Sequence, residues 1–196
     1  MTSAKRPRLI LASASPRRAA LLRRIGWDFS VHPVAIDESS RPGEEAERGS
    51  MRLAREKALH CRRNHPQDYV LGADTVVSID RAWLGKPRDR DEAREMLHRL
   101  SGRTHHVFSG VALVAADGTV HEGVSATEVT FASLSEEEIE RYLDSSEPYD
   151  KAGAYAIQGA ASWFIEGVRG SVTNVVGLPL EVLRRLARES GLGAAR

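Results

Sequence analysis

The chain begins with a short apolar run that leads into an amphipathic segment. Leu9 to Leu11 are consecutive apolar residues, which is typical of a buried strand. A helix is predicted from Pro16 to about Ile25, because proline suits the first helical turn. Ser15 is a favourable N-cap, and Gly26 follows the last apolar position of the helix. This order predicts a strand that ends at the N-terminus of a helix.

The connection between this strand and this helix carries polar groups that suit an anion. Ser13 and Ser15 supply hydroxyls, and Arg17 and Arg18 supply planar sets of donors that match phosphate oxygens. The free N–H groups and the positive dipole end of the helix point to the same place. Two interpretations stay open here: a phosphate site, or a capped surface helix with two solvated arginines.

A second helical pattern, from Glu44 to Arg63, contains a lysine on its apolar stripe. Lys57 follows Ala54 and precedes Cys61 at helical spacing, so its side chain is directed toward the core. A buried ammonium is costly unless an anion meets it. Lys57 therefore either faces an anion or extends its stem along the core and ends in water.

An aspartate interrupts an apolar run later in the chain. Asp74 lies within Tyr69 to Ile79, which otherwise has the pattern of a buried strand. Because an unpaired buried carboxylate is costly, Asp74 is either a functional group or a strand-end residue bonded to backbone N–H groups. The chain turns at Asp80–Arg81, and Pro87 keeps Lys86 extended, so a further cation returns to the same region.

The remaining elements are predicted from periodicity, caps and turns. They are a strand at Trp27 to Val34, a helix from Asp89 to Gly102, hairpin strands at His105 to Val114 and Val120 to Phe131, a helix from Ser135 to Leu143, a strand near Trp163 to Val168, and a last helix opened by Pro179. Glu147 to Gly159 is a long polar loop, and long ordered loops often carry function. His105 and His106 point to opposite sheet faces, which makes them a poor metal pair.

Composition narrows the class of protein. The chain has 196 residues, which fits a single domain, and residues 1–8 and 191–196 are expected to be flexible tails. With 28 Lys+Arg against 27 Asp+Glu, the net charge of +1 gives no overall attraction to nucleic acid or to a membrane. The single cysteine, Cys61, excludes an internal disulfide, and the N-terminus lacks the apolar core of a signal peptide. A cytoplasmic location is expected.

The charged residues that interrupt these patterns suit polyphosphate chemistry. They are Arg17, Arg18, Glu38, Lys57, Asp74 and Lys86. Cations neutralise a phosphate chain, and two carboxylates can hold a divalent metal and orient a water for in-line attack. The sequence contains neither GxxxxGK[ST] nor GxGxxG, which excludes a P-loop and a Rossmann dinucleotide site. It also lacks the motifs of acyl transfer.

Seven segments in a fixed order match those of a known family. They are Ser13–Arg18, Asp37–Ser39, Gly72–Val76, Gly85–Pro87, Leu100–His105, Glu147–Tyr155 and Asn174–Pro179. On these segments, and over nearly its whole length, the chain resembles the Maf proteins, also called septum formation inhibitor proteins, which are nucleoside triphosphate pyrophosphatases. Asp150 to Gly159 resembles the branch that prefers dTTP and UTP.

The resemblance implies a fold, a reaction and a cofactor. The fold is an elongated, two-lobed α/β structure with a twisted mixed sheet flanked by helices, similar to the inosine triphosphate pyrophosphatases, with the nucleotide between the lobes. The reaction is hydrolysis of a nucleoside triphosphate to the monophosphate and pyrophosphate with a divalent metal, Mg²⁺ or Mn²⁺. Homodimers and a house-cleaning role linked to cell-division arrest are further implications.

The resemblance also assigns roles to individual residues. The proton acceptor is Asp74; the substrate-specificity residues are Arg17, Thr75 and Gln158; the phosphate side has Ser13, Arg17, Arg18, Lys57 and Lys86; and the metal lies at Glu38 and Asp74. The amide of Gln158 offers a donor and an acceptor, which match the edge of uracil or thymine. We therefore expect dTTP, UTP and modified pyrimidine triphosphates to be favoured over CTP and the purines.

One residue of the loop departs from this branch. Ala156 stands where the branch usually has glycine. If the backbone φ is positive there, alanine costs about 1 kcal/mol and shifts the loop that carries Gln158.

Three other functions stay open on sequence alone. They are a nucleotide-binding regulator of septum formation with little turnover, a 7-methyl-GTP pyrophosphatase, and a structural domain whose charges pair with one another. Asp74 argues against a pure binding protein, because triphosphate binding calls for cations and not for an additional carboxylate.

Overall fold

The computed structural model describes residues 8–193. Its strands are β1 (Leu9–Leu11), β2 (Phe29–Val31), β3 (Tyr69–Ile79), β4 (Ala82–Leu84), β5 (Thr104–Val114), β6 (Val120–Phe131) and β7 (Ile165–Arg169). Its helices are α1 (Pro16–Arg24), α2 (Ala46–Arg62), α3 (Arg90–Leu100), α4 (Glu136–Leu143), α5 (Val172–Val176) and α6 (Leu180–Glu189), with short 3₁₀ turns at Pro148–Asp150, Ala152–Ala154 and Ala160–Phe164. Most of the predicted flexible tails, residues 1–7 and 194–196, lie outside the described residues.

All seven described strands form one mixed sheet in the order β2-β1-β3-β5-β6-β7, with β4 also paired to β3. β1 runs parallel to β2 and to β3, whereas the other pairs are antiparallel. Helices cover both faces, which confirms the α/β class with a mixed sheet. None of the described helices combines the length and apolar composition needed to cross a membrane.

The outer edge of β3 is interrupted, and this gap positions the site. β5 pairs with one edge of β3 from Val70 to Ser78. On the other edge, β1 pairs only with Tyr69–Leu71 and β4 only with Val77–Ile79. On this second edge, no described strand pairs with Gly72–Val76. Side chains from both faces of β3 therefore reach one open space.

Helix α2 packs unusually close to the face of β3 that carries Asp74. A Cβ at Gly72 would lie 2.2 Å from the carbonyl oxygen of Ala54, and a Cβ at Gly110 would lie 2.3 Å from that of Ser50. Only glycine permits this approach at both positions. The close packing places Lys57, which follows Ala54 by one turn, over Asp74.

Two apolar clusters cover the opposite face of the sheet. One lies under α1 and α6 and contains Leu22, Leu71, Val111, Leu183 and Leu186, among others. The other lies under α3, α4 and the 3₁₀ turns and contains Val77, Leu97, Val107, Phe131 and Ile139, among others. On β3 and β5, the positions between the two clusters are polar, at Thr75 and Ser109.

The structure confirms the predicted helix starts. Ser15, Asp89 and Ser135 are N-caps, each accepting a hydrogen bond from a backbone N–H in the first helical turn, and Ser135 forms a complete capping box with Glu138. The predicted second strand is shorter than expected, because only Phe29–Val31 pairs with β1.

His105 is fully buried at the start of β5, beside Phe131. Its Nε2 lies 2.8 Å from the hydroxyl of Tyr155, and its Nδ1 has no partner among the described residues. Burial, together with the nearby charge of His106, lowers the pKa of His105 from 6.5 to about 4. His105 is therefore neutral in the folded protein near pH 7.

We expect His105 to make the protein less stable in mild acid. Its pKa is lowered from 6.5 to about 4 in the folded state, so between these values the unfolded chain binds a proton that the folded chain does not. The free energy of unfolding should fall by ~3 kcal/mol as the pH falls through this window. Denaturant titrations at several pH values measure it. In His105→Gln this part of the pH dependence should vanish, and an unchanged slope in the variant would contradict the assignment.

Candidate active site

A cavity of about 620 Å³ opens at the gap in the edge of β3. It is lined by all nine residues to which the sequence assigned a role: Ser13, Arg17, Arg18, Glu38, Lys57, Asp74, Thr75, Lys86 and Gln158. These residues come from the start of α1, the loop before α2, α2 itself, β3, the segment after β4 and the loop before β7. The fold thus gathers distant segments around one cavity, while the individual roles stay predictions.

One wall of the cavity carries a lysine whose ammonium group contacts two carboxylates. Lys57 Nζ lies 2.6 Å from Asp74 Oδ1 and 2.6 Å from Glu38 Oε1. The side chains of Lys57 and Asp74 are only 8% and 10% exposed, whereas that of Glu38 is half exposed. The alternatives in which Lys57 ends in water and Asp74 caps a strand end are therefore wrong, because Lys57 meets anions and Asp74 lies within β3.

The two carboxylates differ in their affinity for a proton. Burial raises the pKa of Asp74 above its ordinary value, and the charges of Lys57 and Arg18 offset only part of this shift. Burial also acts to raise the pKa of Glu38, but hydrogen bonding and charge from Lys57 outweigh it and the net shift is downward. Asp74 is thus the stronger base of the pair.

The pair of carboxylates fits a divalent cation that arrives with a phosphate ligand. Among the described residues, Lys57 contacts Oδ1 of Asp74 and Oε1 of Glu38, while the second oxygen of each carboxylate makes no hydrogen bond. Mg²⁺ is commonly held by one or two carboxylates together with substrate phosphates and waters. No cluster of three His, Cys, Asp or Glu suited to a metal occurs within residues 8–193.

Arg18 has a different environment from the one the sequence suggested. It is buried, and Nε donates to the carbonyl oxygen of Gly177 at 2.8 Å. One terminal nitrogen donates to Ser13 Oγ at 2.9 Å and the other to Thr75 Oγ1 at 3.1 Å. The alternative of two solvated arginines is therefore wrong for Arg18, which links α1 to β3 and to the end of α5.

Three of the candidate residues lie at the open side of the cavity. Lys86 and Gln158 are exposed, and Arg17 is partly exposed. Arg17 lies 3.5 Å from Asp150 Oδ2, and Asp150 also pairs with Lys151. This exposed ion pair contributes little to stability.

The strain that the sequence suggested at Ala156 is absent. Among the described residues other than glycine, positive φ values occur at Asp80, Arg81 and Ala154. The value at Ala154 is 59°. Ala156 does not have a positive φ, so alanine carries no backbone penalty there. The substitution gives no reason to expect a displaced Gln158 loop.

Sequence reasoning missed a second buried polar group behind the cavity. Ser109 and Asn174 are fully buried, and Ser109 lies opposite Thr75 in the β3–β5 register. Ser109 is a polar residue within the apolar run of β5, just as Asp74 is within the apolar run of β3. This break in the apolar pattern is the sequence signal that could have identified Ser109.

Comparison with known proteins gives matches over nearly the whole chain. The sequence model of the family described as "Maf-like protein" matches residues 8–190. A Myxococcus xanthus protein named dTTP/UTP pyrophosphatase is 51% identical over 186 residues, which cover 94% of this chain and 93% of that protein. A Hahella chejuensis protein of the same name is 49% identical over 190 residues, covering 95% and 94% of the two chains.

Among solved structures, the Staphylococcus aureus Ham1 protein has a similar fold. The TM-score is 0.52 with 11% sequence identity, and the match covers 93% of this chain and 98% of that one. The fold is therefore that of the Ham1 type, as the sequence resemblance implied. Because the family match spans almost the entire chain and the relatives are about half identical over nearly their full lengths, the chain belongs to the Maf-like protein family.

Proposed function

We propose that this protein is a nucleoside triphosphate pyrophosphatase that hydrolyses dTTP and UTP to the monophosphate and pyrophosphate. The observation that carries the proposal is the buried Asp74 with a raised pKa, in contact with Lys57 inside a cavity that also presents Arg17 and Lys86. The names of relatives that are 49% and 51% identical support the same reaction and the same two substrates.

Asp74 is the group suited to activate water. A general base works best when its pKa lies near the working pH, and burial moves the pKa of Asp74 in that direction. In the proposed reaction, Asp74 accepts a proton from a water that attacks the α-phosphorus. The bond from the α-phosphorus to the bridging oxygen breaks, and pyrophosphate leaves.

The cations of the cavity hold the triphosphate. Lys57 is fixed in place by its two carboxylates, whereas Lys86 and Arg17 reach the cavity from its exposed side. The N-terminus of α1, beside Ser15, adds backbone N–H groups and a positive dipole end. These groups neutralise charge on the phosphates and favour departure of pyrophosphate.

A divalent cation, Mg²⁺ or Mn²⁺, is part of the proposal. Glu38 and Asp74 would hold it together with phosphate oxygens, as their free carboxylate oxygens permit. When bound, such a cation lowers the pKa of water and neutralises phosphate charge. The proposed setting is the cytoplasm, where the protein acts on free nucleotides, without nucleic acid or a membrane, and can pair as a homodimer.

Gln158 is proposed to read the base, and its removal tests the proposal. Held in one orientation, its amide donates to the C4 carbonyl of uracil or thymine, whereas cytosine has an amino group at C4, which is itself a donor. Across a panel of nucleoside triphosphates, we expect the wild type to have its highest kcat/KM with dTTP and UTP, with 7-methyl-GTP poor. In Gln158→Ala, the ratio of kcat/KM for UTP to that for CTP should fall by about tenfold or more.

Gln67 provides the matched control, because it is exposed on a turn far along the sequence from the loop. Gln67→Ala should keep the wild-type ratio. An unchanged ratio in Gln158→Ala would remove Gln158 from base recognition, and a wild-type preference for purines would overturn the pyrimidine assignment itself.

A further inference from the structure

The buried hydroxyls behind the cavity form a hydrogen-bonded chain whose direction is fixed by chemistry. Ser109 Oγ lies 2.9 Å from the carbonyl oxygen of Asn174, and a carbonyl can only accept, so Ser109 donates its single hydrogen there. Thr75 Oγ1 lies 2.8 Å from Ser109 Oγ. Because the hydrogen of Ser109 is already used, Thr75 must be the donor in this contact.

Thr75 has a second hydrogen-bond partner, Arg18, and the donor in that contact is also fixed. A terminal nitrogen of Arg18 lies 3.1 Å from Thr75 Oγ1, and a guanidinium can only donate. Thr75 thus accepts one hydrogen bond and donates its only hydrogen to Ser109. A hydroxyl has two lone pairs, so one acceptor position of Thr75 is left, and no donor is left for a ligand.

Both ends of this chain are held in place. Asn174 is buried, and its amide nitrogen donates to the carbonyl oxygen of Val107 at 2.9 Å and to Thr127 Oγ1 at 2.8 Å. The guanidinium of Arg18 donates to Ser13 Oγ and to the carbonyl oxygen of Gly177. The direction of the Thr75 hydroxyl is therefore fixed by its protein partners.

An acceptor that cannot donate selects the part of a nucleotide that it can contact. Phosphate oxygens only accept, so Thr75 is unsuited to the triphosphate, although it neighbours Asp74. Uracil and thymine carry a donor at N3, whereas N3 of cytosine is an acceptor. Two acceptors facing each other leave both unpaired, which hydrogen-bonding sites penalise strongly.

We propose that Ser109 is a specificity-determining residue: by taking the hydrogen of Thr75, it makes Thr75 an acceptor for N3–H of uracil or thymine and thereby excludes cytosine. This inference rests on the proposed dTTP/UTP pyrophosphatase function and identifies the base atom that is recognised. Ser109 acts through Thr75 and is a positioning residue, since it does not line the cavity.

Ser109→Ala tests the inference through a gain of activity. Without Ser109 Oγ, the Thr75 hydroxyl is free to turn its hydrogen toward the cavity and donate to N3 of cytosine, while it can still accept from N3–H. The Asn174 carbonyl stays paired, because the N–H of Gly177 also donates to it at 2.9 Å. We expect kcat/KM for CTP to rise by about fivefold, the value of one ordinary hydrogen bond, with kcat/KM for UTP changed by less than about twofold.

Ser50→Ala is the matched control. Ser50 is equally buried and donates to a backbone carbonyl within α2, so its loss has a comparable structural effect without touching Thr75. The control should keep the wild-type ratio of UTP to CTP hydrolysis. Loss of both activities in equal proportion in Ser109→Ala, or an unchanged ratio, would show a purely structural role and overturn the inference.

Wild-type protein provides a second measurement that does not depend on the folding of a variant. N3-methyl-UTP lacks the N3 donor, and 3′-deoxy-UTP lacks the 3′-hydroxyl, which is the sugar donor that UTP and dTTP share. We expect a large loss of kcat/KM for the first and a small one for the second; the reverse pattern would assign Thr75 to the sugar and overturn the inference. A wild type that does not hydrolyse UTP would instead overturn the proposed function, and this inference with it.

Discussion

Asp74→Asn is expected to lower the turnover of UTP and dTTP by about 10²-fold or more. Asparagine keeps the size and polarity of the side chain but cannot accept the proton of the attacking water. Binding should survive, because the cations proposed to hold the triphosphate are unchanged. Steady-state kinetics give the turnover, and calorimetric titration with α,β-imido-UTP, which resists cleavage between the α- and β-phosphates, gives the affinity.

Asp80→Asn is the control for this change. Asp80 lies on the turn after β3 and pairs with Arg103 at the surface, at 2.7 Å, so its amide variant should keep wild-type turnover. Near-normal turnover of Asp74→Asn at saturating metal would show that another group accepts the proton.

Lys57→Met is expected to lower kcat/KM for triphosphates of every base by a similar factor, about 10²-fold. The change removes a charge that is proposed to act on the phosphates but keeps the volume of the stem. It also leaves Asp74 buried without its partner, so the free energy of unfolding near pH 7 should fall by about 3 kcal/mol. The ratio of UTP to CTP hydrolysis should not change. Kinetics with a nucleotide panel and denaturant titration measure the two effects.

Lys86→Met separates the loss of a cation from the cavity from the loss of the buried Lys57–Asp74 ion pair. Lys86 is exposed, so its loss should weaken all triphosphates by a smaller factor and leave stability unchanged. The double variant Lys57→Met with Asp74→Asn should recover part of the lost stability, because it removes both members of the buried pair. A change in base preference in Lys57→Met or in Lys86→Met would mean that the substituted lysine does not act on the phosphate chain.

Local signals were sufficient to predict most elements. Caps and apolar spacing depend on neighbouring residues, which is why the starts at Ser15 and Ser135 and the β5–β6 hairpin were predicted to within one or two residues. The Lys57 and Asp74 positions were also recognisable, because each places a charge where the local pattern requires an apolar residue.

The partners of those charges depend on packing between distant segments. Lys57 meets Asp74 because Gly72 lets α2 approach the sheet, and no local pattern encodes that distance. The gap at the edge of β3 arises because β1 and β4 are both short and pair at opposite ends of one strand. The burial of Arg18 likewise depends on Gly177, which is 159 residues away in sequence.

The central claim is that water attacks the α-phosphorus in the cavity beside Asp74, and hydrolysis of UTP in H₂¹⁸O tests it most directly. Mass spectrometry of the products locates the label. The proposed reaction places one ¹⁸O in UMP and none in pyrophosphate, and Asp74→Asn should form both products more slowly by about 10²-fold. Label in pyrophosphate, or UDP and orthophosphate as the first products, would contradict the account.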